Sequence, residues 1–471
     1  SRLCESDFAQ QAMKISGWCS SPRYLRAGFG SFFHSEALTG ALPLKQNSPQ
    51  KPPYGLVTEL ISGSPFTVPR HSNRYAWQYR VRPSVSHSPK KYVPIANSTF
   101  TNQASADFTP EQYRFRPMDQ KTGVDFVDGI AMVAVNGHAA ANDGAAAGVY
   151  AFDASMGERR RVMRNQDGDM IVMPQEGTIR VRTEFGDLEV EQQEFALVPR
   201  GVVFQVDSVS GTPCKGYVLE NFGSQFVIPD LGPIGISSGL AHPRHFLAPE
   251  ARFEDTSQAH EMVCKLSGQL FAGEVQHSPF DVVAWYGNLV PVKYDVRNFM
   301  AINTVTYDHP DPSIGVVLSS YTPVPGAANI DFVVFPPRYV ASENTFRPPW
   351  YHRNVMSEFM GLVRGGYDAK VGFVPGASSI HNQFTPHGPD GDSLDAGVAC
   401  DTSRPERYQN TLAFMWESNK VWRPTQFALE HLMDADYVDC WDNVRSTFDA
   451  SAVPGPEPYP FNPDGHQPAL R

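Results

Sequence analysis

RPPWYHRNVMSEFMGLVRGGYDAKVGFVPGASSIHNQFTPHGPD, residues 347–390, is the stretch on which the reading of the chain turns. It carries four side chains able to bind a metal: His352, Glu358, His381 and His387. Each half holds a pair six residues apart, and a turn at Pro375 and Gly376 stands between them. Along an extended strand an even spacing directs two side chains to one face, and a turn can bring them together equally well. Two imidazoles and a carboxylate meeting on one face of a β-scaffold form the ligand set of a mononuclear iron(II) oxygenase. A solitary H-x5-E pair has little weight, because core and surface histidines make such pairs by chance. Two matched pairs on β-type sequence weigh more. The chain has no H-E-x-x-H, which argues against a zincin peptidase.

The rest of the chain is read as scaffold for that stretch. At 471 residues it has room for about two or three domains and a large core. Its 37 glycines and 40 prolines favour short strands and loops over long helices. The fold class expected is mainly β, with cupin-like jelly-roll or β-sandwich domains and a few short helices. A net charge of -11 without a basic block argues against nucleic acid as a partner. No apolar run approaches the roughly 20 residues that cross a bilayer, so no membrane association is expected and a cytoplasmic protein is. Cys4, Cys19, Cys214, Cys264, Cys400 and Cys440 are scattered without a CxxC pair, and all six are read as small buried hydrophobes in a reducing compartment.

In chain order, residues 1–27 are expected to be a disordered extension. A β-rich N-terminal domain, 28–297, would hold a metal-free cupin-like unit. Its short runs MIVMP, TIRVRTEF, LEVEQQEFALVP and VVFQVD are separated by turns and contain no histidine. Within this domain FTVPR (66–70) reads as a strand, 104–121 as a polar connector, and the Ala- and Gly-rich tract 139–148 as a loop. Residues 298–450 form the expected iron-binding cupin-like domain. Its TQFALEHLMDADYVDCWDNV (425–444) is the clearest helical pattern, with apolar residues at i+3 and i+4 steps. The tail 451–471 is too rich in proline to pack a core.

The site stretch and much of its surroundings resemble the homogentisate 1,2-dioxygenase family. The likeness is carried by RPPWYHRNVMSEFMGLVRGGYDAK and TPHGPD, and by QNSPQKPPYGLVTELISGSPFTVPR, WQYRVRPSVSHSP, DGDMIVMPQEG, SPFDVVAW and FVVFPPR, over roughly residues 28–445. It implies Fe(II) held by His352, Glu358 and His387, with homogentisate and O2 as substrates and 4-maleylacetoacetate as product of this step of tyrosine and phenylalanine catabolism. It implies that His309, in TYDHPDPS, is the catalytic base and that Tyr367 and His387 contact substrate. A neutral imidazole, with a pKa of roughly 6.5, suits the task of taking a phenol proton. His381 is placed just behind the ligands. A homo-hexamer, a dimer of trimers, is implied as well.

Two positions depart from the family pattern. Tyr286 stands in AWYGN where the family commonly has histidine, and Gly366 precedes Tyr367 where histidine is frequent. Neither is a ligand position. They are the features that favour a related cupin dioxygenase acting on gentisate or another hydroxylated aromatic acid. A non-catalytic bicupin scaffold is the reading from a different class, and the intact His352, Glu358 and His387 argue against it.

Overall fold

The computed structural model describes residues 26–97, 99–229, 240–301, 315–347, 350–367 and 370–452. Among these the chain is mainly β, as expected. Its strands form sheets of nine, seven, four, six and two strands, and the longest α-helix is Gly391–Ala399.

The six-stranded sheet carries the site. Its order is Gly315–Tyr321, Ala328–Phe335, Leu412–Ser418, Ser357–Arg364, Ser378–His381 and Tyr113–Phe115. Both of its faces are buried, which explains why these strands show little apolar–polar alternation. One face sends Phe332, Phe359, Phe414 and Trp416 into the main core. There Phe195 meets Phe332 at 5.0 Å between ring centroids and Tyr217 meets Phe414 at 4.8 Å. The Tyr217 hydroxyl reaches the carbonyl oxygens of Leu362 and Ala377. The other face carries a smaller apolar cluster of Val333, Met360, Leu362, Ala413 and Met415. Beyond its end, on the same face, stand Asp331, Glu417, Glu358 and His381, one on each of four adjacent strands.

The two halves of the chain exchange strands. Tyr113–Phe115, from the segment read as a connector, pairs with Ser378–His381 at the edge of the site sheet. In return Arg423–Pro424 pairs with Ile130–His138 at the edge of the nine-stranded sheet. The connector reading of 104–121 is corrected by this pairing.

Four further expectations are corrected. Most of the Ala- and Gly-rich tract is not a loop, because Asp143–Phe152 is a buried central strand between Ile130–His138 and Cys214–Asn221. Small residues are needed there: a Cβ on Gly148 would lie 2.6 Å from the Ala131 carbonyl oxygen and 2.8 Å from Met132 Sδ. The segment 425–444 does not form one helix. It breaks into short turns at Ala428–Leu432 and Tyr437–Trp441, since the chain between them pairs with the edge strand. The Arg116 amide donates to Leu432 O at 2.7 Å and the Asp434 amide to Arg114 O at 2.8 Å. FTVPR is not a strand, and the strand nearby is Val57–Ser62. Cys214 and Cys264 are buried as expected, but Cys400 is exposed and Cys440 half-buried.

Overpacking a filled site typically costs about 1–3 kcal/mol. Gly148→Ala is therefore expected to lower unfolding stability by about that amount, read from the midpoint of chemical denaturation at an unchanged slope.

Candidate metal centre

The site is assembled by backbone pairing. His352 and His387 form an isolated antiparallel bridge, each amide donating to the other residue's carbonyl, at 2.9 and 3.1 Å. Glu358 lies opposite His381 in the register of Ser357–Arg364 with Ser378–His381. These pairings bring all four sequence candidates together. Among the described residues, one group of donor atoms is compact enough to hold a metal, that of His352, Glu358 and His387, all within 4.8 Å of one another. Glu358 and His387 are buried, while His352 is 36% exposed and marks the open side.

The imidazoles are poised by their other nitrogens. His352 Nδ1 lies 3.2 Å from Trp350 O and His387 Nδ1 2.9 Å from Thr385 O. A carbonyl can only accept, so each Nδ1 carries the proton and each Nε2 presents its lone pair toward Glu358. His387 Nε2 is buried with no partner in hydrogen-bond geometry, although Glu358 Oε2 is 3.2 Å away. A buried polar atom of this kind calls for an occupant. Glu358 is oriented by Asn354, whose Nδ2 donates to Oε1 at 2.7 Å.

Charge at the site follows from burial and neighbours. Burial alone would raise the Glu358 carboxyl, but the neighbouring imidazoles of His352, His381 and His387 more than offset this and hold it well below the usual range. Its partner His352 is raised, chiefly by the Glu358 contact. One strand over, Glu417 is pushed up to about 7 by burial and then by the Glu358 and Asp331 carboxylates.

His381 is not within the compact group, but its Nδ1 lies 3.7 Å from Glu358 Oε2 and its ring stacks on His387 at 4.3 Å. Behind it stand Lys370 and Tyr437, which the sequence did not single out. Lys370 Nζ is 2.8 Å from His381 Nε2 and also bonds the Tyr437 hydroxyl. Burial, then the Arg114 charge, pulls Lys370 down to about 7. Tyr367 packs against the smaller cluster, between Phe335 and Phe373. His309 lies outside the described residues. Tyr286 is on the four-stranded sheet, where its ring stacks on Phe32. A Cβ on Gly366 would meet nothing within 4 Å, so the turn has space for a side chain.

The N-terminal model of the homogentisate 1,2-dioxygenase family matches residues 23–296 and the C-terminal model matches 297–448. The chain belongs to the homogentisate 1,2-dioxygenase family. It is a metal-dependent oxidoreductase that opens the ring of homogentisate with dioxygen. Among solved structures, two similar ones share little sequence with the chain. A salicylate 1,2-dioxygenase from Pseudaminobacter salicylatoxidans is 8% identical, with 60% of this chain and 75% of that one covered at a TM-score of 0.27. An oxalate decarboxylase is 10% identical, with 70% and 89% covered at 0.26. The match to the C-terminal model spans all four candidate residues of the site.

Two pH dependences follow. A metal must displace the His352 proton, so metal affinity is expected to fall as pH drops through the raised His352 value, above 6.5, by about tenfold per pH unit. Metal titrations at stepped pH measure this. For Glu417 the folded value, about 7, exceeds the ordinary value of 4.5, so the folded state holds the extra proton. Its contribution is present below 4.5 and lost as pH rises through about 7. In metal-free protein, Glu417→Gln should therefore gain more melting temperature over the parent at pH 8 than at pH 5, and a cation at Glu358 should shrink that gain.

Proposed function

We propose that the site holds Fe(II) through His352, Glu358 and His387 and opens homogentisate there. The observation that carries this reading is the compact set of two lone-pair-bearing Nε2 atoms and one ionised carboxylate, within 4.8 Å of one another. Two imidazoles and one carboxylate suit non-haem Fe(II) and leave open positions on the other side. When bound, Fe(II) supplies the redox-active centre at which the ring and dioxygen meet.

The chain's own residues do the rest. Asn354 holds Glu358 in one orientation, and the carbonyls of Trp350 and Thr385 hold the two histidines in the tautomer that binds metal. His309 takes the phenol proton, which a neutral imidazole does well near neutral pH. Tyr367 donates a hydrogen bond from its hydroxyl to the substrate, with Phe335 and Phe373 fixing the tyrosine ring from either side. His387 serves as ligand and as a wall of the substrate position. His381 supports Glu358 from behind.

The same reading includes a cytoplasmic protein and a hexamer built of trimers. None of the described helices is long and apolar enough to cross a membrane. Tyr351, Val355 and Phe384 are exposed apolar side chains around the triad, suited to contact with a neighbouring copy.

Anaerobic reconstitution with Fe(II), followed by oxygen uptake and product absorbance, tests this with homogentisate and gentisate side by side. Homogentisate should be opened in preference. His387→Ala should abolish uptake while keeping a native melt, and chelation should do the same reversibly. A bond to a charged substrate is worth about 1.5–3 kcal/mol, so Tyr367→Phe should lower kcat/KM by about ten- to a hundred-fold. Uptake by iron-loaded protein that favours gentisate would move the substrate and keep the metal.

A further inference from the structure

His381 poses a problem of restraint. It is a buried imidazole with Nδ1 only 3.7 Å from the Glu358 carboxylate and a ring parallel to that of His387, at an interplanar angle of 6°. Such a group could become a third nitrogen ligand. What faces its other nitrogen decides whether it does.

Two groups face Nε2. Lys370 Nζ lies at 2.8 Å, and its charged form, which prevails below about pH 7, has three protons and no lone pair, so whatever it then touches must accept. The Tyr437 hydroxyl lies at 2.9 Å. Burial drives its phenol well above the ordinary value, so it keeps a proton to donate. Nε2 therefore presents its lone pair to Lys370 and Tyr437. A neutral imidazole carries one proton, which must then sit on Nδ1, the nitrogen that points at Glu358. A protonated nitrogen has no lone pair for a metal.

We propose that Lys370, with Tyr437, is a positioning residue that locks His381 as its Nδ1–H tautomer, so that the Nδ1 proton faces Glu358 across 3.7 Å and His381 stays out of the metal's coordination. The site thereby keeps three protein ligands, and substrate and dioxygen keep their positions. Without Lys370 the proton can move to Nε2, and Nδ1 becomes free to coordinate. Arg114 and Trp441 fill the other sides of this device: Arg114 lies over the Tyr437 ring at 4.3 Å, and Lys370 Nζ is 5.5 Å from the Trp441 ring. The inference rests on the metal reading above.

Cobalt(II) is the probe, and the readout is the number of imidazoles around it by X-ray absorption, together with its affinity. The parent protein and Lys370→Arg, whose guanidinium also only donates, should show two. Lys370→Met should show three and bind cobalt about ten-fold more tightly, and the added His381→Asn change should return the count to two. Lys370→Gln, whose amide oxygen can accept from Nε2–H, gives the same expectation should the Met variant fail to fold. Two imidazoles in natively melting Lys370→Met or Lys370→Gln protein would overturn the lock, as would three in the parent. A parent protein that takes up no cobalt at the triad would overturn the metal reading and this inference with it.

Discussion

The backbone bridge between His352 and His387 is the constraint on which the site depends. Side-chain attraction cannot assemble such a group unaided, because two imidazoles and a carboxylate lose hydration when brought together in a partly buried place. Two amide–carbonyl bonds fix the histidines opposite each other, and the register of the neighbouring strand pair fixes Glu358 against His381. Once the sheet forms, the donor atoms have nowhere else to go. The sheet in turn is stiff because it is packed on both faces, with the large aromatic core on one side and the Met360 and Met415 cluster on the other.

Around that frame the polar groups form shells with distinct tasks. Backbone carbonyls set the tautomers of the ligand histidines, Asn354 sets the carboxylate, and Lys370 with Tyr437 faces the remaining imidazole. Buried groups of this kind are expensive to leave unpaired, and His387 Nε2, which has no partner, faces the place where a metal would sit. The row of Asp331, Glu417 and Glu358 extends this logic across the sheet, with Glu417 keeping its proton more readily because it is buried and acid neighbours stand on both sides.

Much of the site was legible in the sequence, because strand-borne ligands keep their spacing. His352, Glu358, His381 and His387 could be named from one stretch, and the mainly β class from turn punctuation. Asn354, Lys370 and Tyr437 could not be picked out in that way. Tyr437 comes from a distant segment, and a lysine in RGGYDAK looks like any solvated one until burial is known. The Asp143–Phe152 strand was hidden for a different reason. Alanine and glycine have low intrinsic preference for strands, and the tight approach of neighbouring chains that selects them here leaves no periodic signature. In 425–444 a genuine helical spacing lost to tertiary pairing with Arg114 and Arg116, which local preference cannot anticipate.

The exchange of Tyr113–Phe115 for Arg423–Pro424 sets an order on synthesis. A ribosome delivers residues at about 5–20 per second, so the early strand waits on the order of tens of seconds for its partner at Ser378–His381 to emerge. The nine-stranded sheet waits longer still, for the Arg423–Pro424 edge to emerge. The nascent N-terminal half therefore spends that interval with an unpaired edge, a natural client for chaperones. A metal can be captured at this site only once residues 352–387 have emerged, so the half-made N-terminal part spends the interval without one.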